Sequence, residues 1–514
     1  MVGTRARRGS TAARGLTPSM LVLVLSAVCT AAWAQEPAPI PPDTFLWGVC
    51  QVGGTGRNAV WPLSRADLEV LRDELHMNAV RFFVHPGFIG QPQRTWNGPE
   101  AIDYTRLPEA EYVWRDPSPA VDSLDEVLDL LYDVGLYPFL LILPVDEYVA
   151  YLSRDDLTFL NDQEHGRDYT GIRPVAQIKA LSVAVARHVH EQYGDRFSLI
   201  FTEVAGQGDG APQRTQDRAR WSEIVAAVKG VAPEAPVYSP ELCIGMWWWA
   251  AARELSLGSG HSTPPLPPIT YTDTWPRGDR LESYAAAFDV LSVSYYGATP
   301  DSIEWKDVAA DQPALKAAVD PVLALAREYA RPKSWLWAEA GWGAVHKPEQ
   351  PFHLERDLAA LLFGMDHCRG ALLWQGKDNE GSGAGIFTAQ GERAKGGELL
   401  RGVADAVAAN AGFLAADHAT LNADGFPVAE NLFCEDDPWV LTRFLGHHVV
   451  LFSKAPATTK VTFTATDGAR LTEVPTGHGY SRPWPLHLEA NQDGSITVSD
   501  IRPRLLYLLA VEGR

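Results

Sequence analysis

Short apolar runs alternate with helix-patterned segments from Phe45 to Ala409, and this alternation limits the fold more than any other feature of the chain. The runs cover residues 45–50, 79–85, 137–143, 198–207, 237–242, 288–296, 335–339 and 371–374. Residues 137–143 are almost continuously apolar, as expected of a strand covered on both faces. Segments 65–75, 121–134, 178–193, 221–231, 321–329, 354–363 and 399–409 carry helical spacing. In the first of them Leu68, Leu71 and Leu75 share one face. Eight strand runs alternating with these helical segments predict a closed (β/α)₈ barrel of parallel strands. A doubly wound open sheet is the alternative, but no G-x-G-x-x-G follows the first strand.

The texture changes near Ala415. Residues 439–445, 448–453, 460–465, 486–489, 495–498 and 505–510 read as short strands, separated by turn signals such as Asp467-Gly468 and Asp493-Gly494. They predict a C-terminal antiparallel β-sandwich over residues 413–514, following a barrel domain over residues 35–412. Its expected role is to pack against the barrel, since a sandwich alone does not imply sugar binding.

Residues 1–34 read as a cleaved signal peptide. Arg5, Arg7, Arg8 and Arg14 precede a short apolar core, and Ala32-Trp33-Ala34 fits the cleavage pattern. The expected location is therefore secreted or periplasmic. A lipoprotein signal through Cys29 fits less well, because Val28 is a poor residue before a lipidated cysteine. No later segment has the length and apolarity to span a membrane. The net charge of −20 makes nucleic acid a poor partner. Cys50, Cys243, Cys368 and Cys434 lie far apart without C-x-x-C spacing, and no H-x-H pair occurs at a strand end, so no metal and no cofactor is expected. Disulfides or buried thiols remain equal alternatives for those cysteines.

Two strands deliver an acid near their C-terminal ends. One runs Ser198-Leu199-Ile200-Phe201-Thr202-Glu203-Val204-Ala205-Gly206-Gln207, the other Ser334-Trp335-Leu336-Trp337-Ala338-Glu339-Ala340-Gly341-Trp342-Gly343. Catalytic groups of parallel barrels sit at that end, and two carboxyl groups brought together there suit glycoside hydrolysis. These motifs resemble the clan of retaining (β/α)₈ glycoside hydrolases that includes cellulases, β-mannanases and β-xylosidases. The resemblance covers most of residues 45–409 and lies in strand motifs rather than in one long signature.

The resemblance implies an exported retaining β-glycosidase, or a transglycosylating relative, acting on an oligosaccharide, polysaccharide or glycoside by double displacement. Glu339 would be the nucleophile. Arg81 on the second strand would hold it ionised, although an ion pair on the outer wall would also satisfy a charged residue in an apolar strand. Tyr295 and Tyr296 end the sixth strand, where the clan places an aromatic residue or His against the nucleophile; core packing is the alternative. Trp374 on the eighth strand would form a flat apolar floor for a sugar ring. His85 and Trp342 are further candidates for substrate contact. Trp247, Trp248 and Trp249 could line a cleft or cap the barrel, and Asp378, Asn379 and Glu380 could meet hydroxyl groups or solvent.

The acid/base strand departs from the clan pattern. In one frame Gln207 takes the acid/base place, Gly206 replaces the usual Asn, and Glu203 is a deeper structural acid. In the other, Glu203 is itself the acid/base, with Thr202 in place of the Asn. The loop character of Gly206-Gln207-Gly208 favours the first frame, while the second keeps the chemistry, because a carboxamide cannot donate and recover a proton. With Gln207 in that place, Glu203 or Asp209 would supply the proton, or the leaving group would need none. The remaining alternative is a catalytically impaired glycosidase-like protein that binds carbohydrate.

Overall fold

The computed structural model describes residues 44–51, 61–84, 124–142, 175–201, 218–243, 286–296, 335–341, 358, 362, 368–378, 385–393, 397–415, 432–434, 440–453, 457–465, 468–474, 484–502 and 505–512. Eight parallel strands close into the expected barrel in sequence order: β1 (Leu46–Gln51), β2 (Ala79–Phe83), β3 (Tyr137–Ile142), β4 (Ser198–Phe201), β5 (Val237–Cys243), β6 (Val290–Tyr296), β7 (Trp335–Gly341) and β8 (Gly370–Trp374). β1 pairs with both β2 and β8, which completes the closure and leaves no edge.

Period-two alternation divides each strand between two cores. On β2, Ala79 and Phe83 face the barrel interior, whereas Val80 and Phe82 face the surrounding helices. On β3, Tyr137, Phe139 and Leu141 point in while Leu140 and Ile142 point out. Both faces are apolar, so these strands lack the polar alternation of a half-solvated sheet. Described helices include α1 (Arg65–Asp73), α2 (Leu124–Val134), α3 (Val175–Tyr193), α4 (Arg218–Lys229), α5 (Gly397–Ala409) and α6 (Ala411–Ala415). Ser64 caps α1 through a reciprocal capping box with Asp67.

The C-terminal strands form two four-stranded antiparallel sheets. The first contains β10 (Val440–Leu445), β11 (His448–Ser453), β13 (Arg470–Val474) and β16 (Leu506–Glu512). The second contains β9 (Leu432–Cys434), β12 (Thr459–Ala465), β14 (His487–Ala490) and β15 (Ser495–Ile501). Two of these, β9 and β13, were not expected. β9 is three residues long, and on β13 Leu471 alone carries a fully buried apolar side chain, so neither has a strong strand pattern.

The first sheet is a middle layer. Val449, Leu451, Tyr507 and Leu509 face the second sheet, while Val450, Phe452, Leu506 and Leu508 join the same core as the barrel helices. That double burial explains the continuous apolar stretches Val449–Phe452 and Leu505–Ala510. β12 alternates exposed and buried residues, which marks one face of the second sheet as solvated. The joint is also polar. Asn410, at the end of α5, donates to the Ala406 carbonyl at 2.7 Å and accepts from the His447 N–H at 2.9 Å. Its amide nitrogen also meets His448 Nδ1 at 2.7 Å. Gly446 opens the two-residue β10–β11 turn with φ +54°, and a Cβ there would lie 2.6 Å from Asn410 Oδ1. The sandwich is thereby packed onto the barrel.

Candidate active site

At the C-terminal end of the barrel, two charged side chains meet inside an otherwise apolar wall. Arg81 is 1% exposed and Glu339 is 8% exposed. Arg81 Nη1 lies 3.4 Å from Glu339 Oε1. Arg81 occupies an inward position, between inward-facing Ala79 and Phe83. The outer-wall alternative for this residue is therefore excluded. A desolvated guanidinium needs an anionic partner, and Glu339 is the carboxylate set beside it.

Glu339 should not point inward by simple alternation. Leu336 and Ala338 face the interior and Trp337 faces the helices, so the next residue would also face the helices. An irregularity in β7 changes this. Against β6, Val293 pairs with Trp337 and Ser294 with Glu339, so one β7 residue is skipped. Against β8, Trp337 pairs with Ala371 and Ala340 with Leu373, which again leaves one residue over. Both neighbours see the same extra residue. β7 thus carries a β-bulge at Ala338–Glu339, which re-aims the acid towards Arg81.

Trp374 closes β8 beside this pair. Its ring meets Phe83 edge-to-face at 6.4 Å and 75°, and it is part-buried against the interior core. The Trp374–Gln375 peptide bond is cis. Arg81 also stands over the Phe83 ring, 5.9 Å from its centroid. The result is a fixed carboxylate, a fixed cation and an aromatic wall at one barrel mouth. The chain after β8 is pinned to the same rim. Gln51 accepts from the Lys377 N–H at 2.7 Å, and the Gly376 N–H donates to the Cys50 carbonyl at 2.9 Å. Lys377 Nζ reaches Asp67 of the α1 capping box at 3.5 Å, and Asp378 is buried.

Of the residues expected from sequence, Glu339, Arg81 and Trp374 come together here. Tyr295 and Tyr296 lie on β6, with Ser294 opposite Glu339, Tyr295 opposite Ala340 and Tyr296 opposite Gly341. Their side chains, together with His85, Glu203, Gln207, Asp209, Trp247, Trp248, Trp249, Trp342, Asn379 and Glu380, lie outside the described residues. Sequence reasoning missed Cys50, which faces the interior directly beside Arg81, and Gln51 and Lys377, which anchor the rim. The signal for the bulge was present: an acid stood at an outward parity position in the apolar run Trp335-Leu336-Trp337-Ala338-Glu339. Among the described residues there is no cluster of His, Cys, Asp and Glu able to hold a metal ion, and no helix is long and apolar enough to cross a membrane.

No protein-family model and no curated protein matches this chain. The solved structures it resembles include several glycoside hydrolases. One is the GH39 enzyme from Xanthomonas axonopodis pv. citri, at 13% identity over 93% of this chain and 95% of that one, with a TM-score of 0.47. Another is a monomeric β-xylosidase from Caulobacter crescentus CB15, at 13% identity over 93% and 98%, with a TM-score of 0.47. A glycoside hydrolase family 30 subfamily 8 xylanase from Clostridium acetobutylicum matches at 11% identity over 91% and 97%, with a TM-score of 0.45. At such identities and scores no residue role passes from those proteins to this chain, and the roles argued here rest on its own geometry.

Proposed function

We propose that the protein is an exported retaining glycosidase that cleaves a carbohydrate by double displacement through a glycosyl–Glu339 intermediate. One observation carries this reading: the β7 bulge turns Glu339 into the mouth of a closed barrel and sets it 3.4 Å from the buried Arg81. A nucleophilic carboxylate must be ionised, held still and open on one side. Arg81 supplies the charge and the hold, and Glu339 keeps a small exposed edge. Trp374 offers an apolar face beside it, suited to the C–H face of a pyranose.

In the retaining mechanism the carboxylate attacks the anomeric carbon while a second acid, about 5–5.5 Å away, protonates the departing oxygen. Water then cleaves the glycosyl ester, and the second group takes back a proton. That second group is assigned to the stretch after β4: Glu203, or Gln207 in a site short of its acid. Export follows from the basic head, apolar core and cleavage pattern of residues 1–34.

The test is the Glu339→Ala variant assayed on a panel of activated aryl glycosides beside natural oligosaccharides, with and without azide. The expected result is a near-complete loss of turnover in a folded protein, with azide restoring part of it as a glycosyl azide of inverted configuration. Unchanged turnover would exclude Glu339. Absence of wild-type turnover on every substrate, with retained oligosaccharide binding, would leave the carbohydrate-binding alternative. A Gln207→Glu variant then sharpens the acid/base assignment: gained hydrolysis of poor leaving groups identifies a site lacking its acid.

A further inference from the structure

The bulge that aims Glu339 leaves Ala338 without a register partner on β6 or β8, and two side chains from β1 and β2, across the barrel interior, hold its carbonyl. Arg81 Nη1 donates to the Ala338 carbonyl at 2.7 Å. Cys50 Sγ donates to the same oxygen at 3.0 Å. The two donors also touch each other, with Arg81 Nη1 3.4 Å from Cys50 Sγ. They face each other across the β1–β2 ladder, where Cys50 pairs directly with Arg81. All three residues are buried. Ala338 is adjacent to Glu339 in the chain, so whatever fixes its carbonyl fixes the peptide plane from which the carboxylate projects.

A bulged residue loses ladder partners, and a buried carbonyl without partners is costly. Here the missing partner is supplied from inside the barrel. The geometry points to Cys50 as a positioning residue: its thiol and Arg81 clamp the Ala338 carbonyl, and the clamp holds Glu339 at the attack position. This rests on Glu339 acting as the nucleophile. Arg81 is occupied by three partners at once, namely the Ala338 carbonyl, the Cys50 sulfur and the Glu339 carboxylate. Removing the thiol donor leaves Arg81 to hold the carbonyl alone and frees the bulge to shift. The substrate does not touch Cys50, so the loss should fall on turnover and not on substrate affinity.

The experiment compares Cys50→Ala, Cys50→Val and Cys50→Ser with the wild type, measuring kcat and KM on an activated aryl glycoside together with thermal unfolding. Ala and Val both remove the donor, one leaving space and the other filling it, whereas Ser keeps a hydroxyl donor. Both apolar variants should lose about tenfold or more in kcat with KM within about twofold, equivalent to some 1.4 kcal/mol of barrier. Cys50→Ser should stay within about threefold of wild type in kcat. Apolar variants that turn over like the wild type would overturn the clamp. So would a Ser variant as impaired as Val at equal unfolding temperature, since packing would then be the cause. If Cys50→Ala does not fold, the Val and Ser pair decides alone. A wild type without turnover on any glycoside overturns the glycosidase reading instead, so the two failures are separable.

Discussion

The two ends of the barrel interior are built from different chemistry. At the C-terminal end Arg81 and Glu339 form a buried ion pair beneath an aromatic wall. At the N-terminal end, by contrast, neutral hydroxyls gather beside a cation, Arg369. Tyr137 opens β3 and its hydroxyl meets Ser198 Oγ, at the start of β4, at 3.0 Å. Tyr238 on β5 lies beside Ser198 and the Arg369 guanidinium, and Phe139 packs edge-to-face on both tyrosine rings. The lower end is a plug of rings and hydroxyls with the Arg369 guanidinium beside them. The upper end holds an ion pair whose carboxylate keeps a small exposed edge. Barrels separate stability from chemistry in this way, with conserved scaffolding below and reactive groups above.

The contrast is easiest to break at Arg81. Arg81→Met should leave Glu339 without its cation and the Ala338 carbonyl without one donor. We expect a loss of about two orders of magnitude in kcat/KM, roughly 2.7 kcal/mol of barrier, and about 3 kcal/mol of stability, because a buried carboxylate is then unpaired. Steady-state kinetics and urea unfolding check both. If stability falls and turnover does not, the pair is scaffolding and the upper end resembles the lower.

The second prediction concerns alkaline pH. Burial pushes the Tyr238 hydroxyl up to about 12, and burial also raises that of Tyr137. A raised folded-state value means that the unfolded chain loses its proton first, at its ordinary value of about 10. The stability from the neutral phenol is thus complete below about pH 10 and is lost as pH rises through about 12. Unfolding free energy should fall across that window by about 2–3 kcal/mol from Tyr238, at 1.36 kcal/mol per unit. Tyr238→Phe should flatten the fall. An identical pH profile in that variant would show that the plug does not set it.

The smallest effect is expected for Tyr137→Phe. It removes one hydroxyl from the lower network and should cost about 1 kcal/mol of stability. Turnover should stay at the wild-type level, because the plug touches no reacting group. A tenfold loss of kcat with unchanged unfolding would show that the two ends are coupled through the core and cannot be treated separately.

Much of this architecture was legible in the chain. Short continuous apolar runs such as Tyr137–Leu141 suit strands covered on both faces, and their repetition between helical segments leads to a barrel. Glu339, Arg81 and Trp374 stood out because charged and large flat residues are conspicuous in such runs. β9 and β13 did not, since a strand recognised by its partner rather than by its own pattern leaves little trace in composition. Cys50 was unreadable for a related reason. A thiol in an apolar strand is ordinary, and its meaning comes from Ala338, which lies 288 residues away and is brought within 3.0 Å by closure of the barrel.

By itself, then, the sequence determined the periodicities: which segments are strands, which are helices, and which faces are apolar. These depend on neighbours a few positions apart. Only the tertiary structure decided the aim of Glu339, because the alternation of β7 taken alone sends that carboxylate to the wrong face. The register of β6 and β8 places the extra residue, and donors from β1 and β2 satisfy the carbonyl it strands. A bulge is a relation among paired strands, and no single strand contains the information to place it.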